Sequence, residues 1–253
     1  MKTLPHSVYS GRIPVIGHRG TPSFAPENTL PSFRRALESA ADGVELDIHM
    51  SSDGALIVIH DDKLDRTTNG SGFVYEHTLE ELKKLDAGAR FSEQFSGTNI
   101  PTLEEVFSAL GRVRYQIELK HSYRVYPNIE NKLLEIINCF GMSENVELTS
   151  FDFDSLEILA RLDSRIERGI LFRGKVRWFL GIARQLRVQW LHMESDLLDS
   201  ADLNAAHAAD FKVDSSANDY ADIRRVLDLG VDQITTDYPD KVSQVRGRSI
   251  GGS

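Results

Sequence analysis

Of the 253 residues only one is cysteine, Cys139, so no disulfide can close within the chain. It stands in the apolar run IENKLLEIINCFG and reads as a core residue rather than a nucleophile. No apolar stretch approaches the roughly 18 residues of a membrane-spanning helix. The opening MKTLPHSVYSGRIPVIGHRG lacks the charged-then-apolar pattern of a secretion signal. Stable membrane insertion is therefore not expected, a cytoplasmic location is, and the NGS at Asn69 reads as a plain loop. A basic excess is missing as well: the net charge is −9 and the pI about 5.4, which speaks against a nucleic-acid partner. An anionic small substrate stays open, because local charge can oppose net charge. There is no glycine-rich phosphate loop, no dinucleotide fingerprint and no G-x-S-x-G elbow. Internal repeats and long linkers are absent too.

What the chain does contain is an alternation of short apolar runs and helical patterns. Strands are predicted at 13–17, 43–49, 55–60, 115–119, 145–150, 168–172, 188–193, 211–214 and 232–236. Between them lie helical segments with clear punctuation. NTLPSFRRALESA places Leu30, Phe33, Leu37 and Ala40 at helical spacing after a cap at Asn28 or Thr29. TLEE at Thr78 and again at Thr102 forms a capping box, and Gly141 and Gly230 close later helices. Further helices are expected near 154–162, 175–187, 200–209 and 219–229. Such alternation implies βαβ units and a parallel sheet, and 253 residues is ordinary for one α/β barrel.

Nine strands are one too many for an eight-stranded barrel. No helix fits between 43–49 and 55–60, only SSDG, a hairpin signal. With Asp53-Gly54 as a two-residue loop, His60 would lie directly opposite Asp47. The run 55–60 is then a hairpin arm, and the other eight runs make the barrel.

In GVELDIHM, Glu45 and Asp47 share one strand face. Two acids there are either solvated at an exposed edge or buried around a cation, and oxygen donors point to Mg²⁺ or Ca²⁺ rather than zinc. Other strand ends add His18 and Arg19 in VIGHRG, Glu118 and Lys120 in IELK, and Ser150 and Phe151 in LTSFD. In a barrel these ends share one mouth. Together with His60 the set fits phosphate-ester chemistry. One divalent cation on Glu45, Asp47 and Glu118 would polarise a phosphoryl oxygen. Arg19 and Lys120 would hold the phosphate, and two histidines would exchange protons. His49 shares the acids' face but reads as exposed near the turn, and the remaining histidines read as surface or structural, His192 among them.

Seven motifs then carry a resemblance. HRG…PENTLPSF, GVELDIHMSSDGALIVIHDDKLDRTTNGSG, TLEELKKLDAG, IPTLEEVF, IELK, SFD and GVDQITTDYPD, over about 13–242, together resemble the glycerophosphodiester phosphodiesterase family in order and spacing. The resemblance implies a (β/α)₈ TIM barrel occupying 1–253 as one domain, with a small insertion at about 62–100 after the hairpin. It implies metal-dependent hydrolysis of a small-molecule glycerophosphodiester to sn-glycerol 3-phosphate and an alcohol. His18 and His60 take the acid and base roles by motif match, Glu45, Asp47 and Glu118 take the metal, and Arg19 and Lys120 take the phosphate. Phe151 is a candidate pocket wall.

One stretch departs from the family pattern: where a Trp-Thr-Val-Asn run is usual, the chain has DSSAND, with Ser215 in place of the tryptophan. An aromatic wall beside the substrate is expected to be missing, with Phe151 and Tyr238 left to line the pocket. Two alternatives stand beside the hydrolase. One is a lysophospholipase D or sphingomyelinase D-like lipid phosphodiesterase, for which VRWFLGIARQL at 176–186 is the candidate apolar rim, although a core helix explains it more simply. The other is a barrel that binds phosphodiesters without cutting them.

Overall fold

The computed structural model describes residues 12–121 and 124–250. Nine strands form one sheet: β1 (Val15–Gly17), β2 (Gly43–Met50), β3 (Leu56–Val58), β4 (Arg114–Leu119), β5 (Val146–Ser150), β6 (Glu167–Leu171), β7 (Trp190–Glu194), β8 (Lys212–Ser216) and β9 (Gln233–Thr236). Eight of them run parallel, and pairing of β1 with both β9 and β2 closes the sheet on itself. β3 alone is antiparallel and rides on the upper end of β2. The fold is a closed (β/α)₈ TIM barrel, with the hairpin arm outside the barrel count.

Helices follow the strands: α1 (Leu30–Glu38), α2 (Leu79–Leu82), α3 (Leu103–Leu110), α4 (Ile129–Cys139), α5 (Phe153–Leu162), α6 (Val176–Leu186), α7 (Ser200–His207), α8 (Tyr220–Leu229) and α9 (Pro239–Ile250). Thr29 caps α1, and the two TLEE boxes cap α2 and α3 through Thr78 with Glu81 and Thr102 with Glu105. Side-chain alternation divides each strand's work. Val44, Leu46 and Ile48 of β2 face outward into an apolar layer with Phe33, Val106 and Leu133 from the helices. Glu45, Asp47 and His49 take the other face, inside the barrel.

That interior is polar. His192 of β7 meets Glu147 of β5 at 2.5 Å and Asp214 of β8 at 3.0 Å, while Gln233 of β9 donates to Gln116 of β4. Side chains of β4 and β9 meet only because the barrel is closed. Gly169 makes room for this group: a Cβ there would stand 2.4 Å from His192 Nε2.

Between β3 and α3 the chain forms a compact segment with two 3-10 turns (Val74–Glu76 and Glu93–Phe95) and α2. Its own small core gathers Ile57, Ile59, Leu64, Val74, Leu82 and Ile100.

The structure corrects three expectations. The hairpin register is one residue off: Ile48 pairs with Val58, His49 with Ile57 and Met50 with Leu56, so His60 is not opposite Asp47. The loop is three residues long, because Ser51 and Ala55 already pair and Gly54 takes a left-handed φ of +87°. Cys139 is exposed, since helical spacing turns Leu133, Ile136 and Ile137 inward instead. His49 is fully buried rather than exposed: its ring bonds Tyr126 Oη at 2.7 Å and the His60 carbonyl at 3.0 Å. Residues 247–250 of the closing GRSIGGS continue α9, and 251–253 lie outside the described residues.

Candidate active site

The C-terminal ends of β1, β2 and β4 bring six of the expected side chains together. Glu45, Asp47 and Glu118 are buried, and one oxygen from each lies within 4.8 Å of the others. Parallel pairing explains it: Asp47 of β2 stands beside Glu118 of β4, and Glu45 lies one inward-facing position below. The reading in which these acids are solvated on an exposed edge is thereby excluded. Lys120 places its ammonium 2.9 Å from Asp47 Oδ1 and 2.8 Å from Glu118 Oε1. Arg19 brings Nε to 3.5 Å from Asp47 Oδ2, and its backbone N–H donates to Glu45 at 2.8 Å.

That backbone contact depends on an uncommon conformation. Arg19 has φ +49° and Gly20 has φ +86°, so the chain turns sharply at the end of β1. A non-glycine residue pays a steric penalty in this region, and such residues concentrate at functional sites. At Gly20 the turn admits no larger residue, because a Cβ would lie 2.4 Å from Ser32 Oγ. Asn28, also left-handed, donates to Asp47 Oδ2 at 2.7 Å. It serves the site, and Thr29 alone caps α1.

The acids are crowded: three buried carboxylates meet Arg19 and Lys120, with His18 acting on Glu45. Burial and the neighbouring Asp47 push Glu45 up to about 8. Burial works against Asp47 as well, but Lys120 and Arg19 hold it down at about 2. Burial and Asp47 raise Glu118. A buried set of hard oxygen donors, crowded enough to raise Glu45 and Glu118, fits a metal ion whose charge would relieve their repulsion, and these three residues could hold one.

Both expected histidines stand at this mouth, each bonded to an aspartate. His18, just past β1, makes a 2.6 Å bond from Nδ1 to Asp237. Burial opposes its charged form, but the Asp237 bond and Glu45 outweigh that and lift it to about 9. His60, just past β3, makes a 2.7 Å bond from Nδ1 to Asp61. Burial lowers it in spite of the charge on Asp47. With Nδ1 engaged, each ring turns Nε2 away from its aspartate.

Phe151 follows β5 and is 62% exposed, free to face a bound molecule. Asp62 and His121, close in sequence to His60 and Lys120, line a cleft of about 420 Å³ with Phe73, Tyr75, Arg124 and Val125. Ser215 corrects a further expectation. It is fully buried on the outer face of β8 with Val213, while Asp214 faces inward, so the position is no wall of the mouth. Sequence reasoning passed over Asp61 and Arg66 and gave Asp237 no more than a structural reading. The signal was there, in HDDKLDRTTNG and TTDYPD, but nothing local separates such residues from solvated loop charges.

Comparison with known proteins agrees with this geometry. Residues 18–241 match the model of the glycerophosphoryl diester phosphodiesterase family. A glycerophosphodiester phosphodiesterase of Caldanaerobacter subterraneus subsp. tengcongensis is 40% identical over 233 residues, covering 89% of this chain and 94% of the relative. A phosphodiesterase of Oleispira antarctica, solved in complex with the product sn-glycerol-3-phosphate, superposes with a TM-score of 0.87 at 29% identity, covering 92% of this chain and 96% of that one. A glycerophosphodiester phosphodiesterase of Agrobacterium tumefaciens gives a TM-score of 0.81 at 29% identity, covering 92% and 100% of the two chains.

Proposed function

The chain belongs to the glycerophosphoryl diester phosphodiesterase family, and from that premise we propose that it hydrolyses small glycerophosphodiesters to sn-glycerol 3-phosphate and an alcohol. The observation that carries this reading is the juxtaposition of three buried carboxylates, two phosphate-binding cations and two aspartate-held histidines at one barrel mouth.

Arg19 and Lys120 hold the phosphate, Arg19 through its planar fork and Lys120 as a compact charge. Glu45, Asp47 and Glu118 hold one divalent cation, Mg²⁺ or Ca²⁺, which when bound supplies Lewis-acid polarisation of a phosphoryl oxygen. His18 and His60 exchange protons through Nε2. One accepts the proton of the attacking water as its oxygen bonds phosphorus, and the other protonates the alcohol oxygen as its bond to phosphorus breaks. The environment divides the two roles: Asp237 favours the protonated form of His18, and burial favours the neutral form of His60. His18 is thus the donor and His60 the acceptor. The cleft of Asp62, Phe73, Tyr75 and His121 receives the alcohol half, and Phe151 stands at the rim. The chain acts as one barrel domain with the insertion at about 62–100, in the cytoplasm. No helix among the described residues is long and apolar enough to cross a membrane.

The test is release of glycerol 3-phosphate from glycerophosphocholine with and without EDTA, for the wild type and His60→Ala. Metal-dependent release that drops about 100-fold or more in the variant is expected. Release that survives the substitution would remove His60 from proton transfer, and release indifferent to EDTA would remove the metal.

A second reading, a lipid phosphodiesterase, has one observation in its favour. Trp178 in the first turn of α6 is 72% exposed and Phe151 is 62% exposed, both on the mouth side. Faster turnover of lysophosphatidylcholine than of glycerophosphocholine would establish it.

A further inference from the structure

We propose that Arg66 is a positioning residue. Its guanidinium joins the carboxylate that orients His60 to the carboxylate that holds Arg19, so one side chain sets the proton-transfer group relative to the phosphate-binding group. What His60 and Arg19 do rests on the hydrolase reading above.

The geometry is specific. Arg66 Nε donates to Asp61 Oδ2 at 2.7 Å and Nη2 to Asp61 Oδ1 at 2.9 Å. On its other edge Nη1 donates to Glu27 Oε2 and Nη2 to Glu27 Oε1, both at 2.7 Å. The two carboxylates are shared outward. Asp61 Oδ1 also bonds His60 Nδ1 at 2.7 Å, and Glu27 Oε1 accepts from Arg19 Nη1 at 3.1 Å. Arg19 in turn reaches Asp47, so an unbroken run of charged groups leads from His60 to the carboxylate cluster.

Two separate stretches of chain are tied this way. Asp61 and Arg66 follow β3, whereas Arg19 and Glu27 belong to the connection between β1 and α1. The Arg66 side chain is 47% exposed, and a single ion pair at such a place contributes little. Here the planar fork is filled along both edges, an arrangement a lysine cannot copy. With both its oxygens taken, Asp61 is fixed in plane. It accepts from His60 Nδ1 in one ring orientation, which leaves Nε2 turned to the site. Displacement of a reacting group by about 1 Å can cost on the order of 100-fold in rate.

The experiment combines ¹⁵N-histidine NMR at pH 8 with steady-state kinetics on the wild type, Arg66→Met and Arg66→Lys. The His60 signal is assigned by its loss in His60→Ala. The wild type is expected to show His60 protonated at Nδ1 alone, and both variants a mixture of tautomers. In Arg66→Met, kcat for glycerophosphocholine is expected to fall about 10- to 100-fold with an unchanged circular dichroism spectrum. Arg66→Lys keeps the charge, loses the double fork and is expected to recover less than a tenth of the lost rate; it carries the test if Arg66→Met fails to fold. Asp61→Asn combined with Arg66→Met is expected to cost no more than the worse single change within about threefold, since either change breaks the same bridge between His60 and Arg19. An unchanged His60 signal, a folded variant with kcat within about twofold of wild type, or multiplying losses in the double variant would each overturn the proposal. If the wild type cleaves no glycerophosphodiester, the hydrolase reading falls, and the NMR comparison still decides whether Arg66 orients His60.

Discussion

Asp237 accepts from His18 through one oxygen and from Asn218 Nδ2 at 3.0 Å through the other, while its backbone N–H bonds Asn218 Oδ1 at 2.7 Å. Among the described residues no cation forks this carboxylate as Arg66 forks Asp61, so its charge acts on the imidazole. Asp237→Asn keeps the shape and removes the charge. Its amide face can also present a donor to Nδ1 and turn the ring to the wrong tautomer. We expect kcat to fall about 100-fold with KM changed by less than about threefold, measured by steady-state release of glycerol 3-phosphate. An unchanged kcat would leave Asp237 a structural residue of the β9 end. The side chains gathered at the mouth were legible because each is a charged or imidazole group at a predicted strand end, where an apolar residue would be ordinary. Their supporting partners were not legible: Asp61, Arg66 and Asp237 lie in polar loops, and a charge in a loop gains meaning only from what it touches.

At the scale of elements, the strands and helices follow the sequence pattern closely, because each has a local cause. Outward-facing Val, Ile and Leu set the strands, and threonine boxes start α2 and α3. The hairpin register and loop length escaped the pattern. Asp-Gly suits both a two-residue and a three-residue loop, and the choice here goes with tertiary contacts: Asp53 Oδ1 accepts from Leu79 N at 3.0 Å and Ser52 N donates to the His77 carbonyl at 2.9 Å. Gly169 in β6 illustrates the same limit. As a glycine inside a strand it reads as a weak point, yet it leaves room between His192 and Glu147 of the two flanking strands. Gly169→Ala puts a Cβ 2.4 Å from His192 Nε2 and is expected to destabilise the fold by about 1–3 kcal/mol, measured by urea unfolding. Unaltered stability would show that the interior can shift to admit a methyl group.

Across the whole molecule, the barrel holds two layers of charge. The mouth carries the carboxylate cluster, and the interior carries Glu147, His192 and Asp214. Burial opposes the charge on His192, but Glu147 and Asp214 outweigh it and raise the group from 6.5 to about 10. A group whose folded value lies above its unfolded value stabilises fully below the unfolded one and loses that contribution as pH rises towards the folded one. Stability against urea should therefore fall between pH 6.5 and about 10, and His192→Gln should flatten that slope. The same substitution leaves two buried carboxylates without their cation and should cost on the order of 3–5 kcal/mol at pH 7. An equal slope in wild type and variant would mean that other groups carry the pH dependence.

The amino-acid order by itself determined the alternation of strands and helices, and so the parallel barrel, because amphipathic period and capping are properties of neighbours in sequence. It also determined which acids, histidines and cations reach the mouth, because strand ends converge in any such barrel. Only the tertiary structure decided that Glu45, Asp47 and Glu118 lie buried within 4.8 Å of one another. It alone decided that Ser215 faces the helices, that His49 is interior, and that Arg66 bridges two loops to reach both His60 and Arg19. These depend on closure of the sheet and on contacts between segments distant in sequence, whose energies no local pattern encodes.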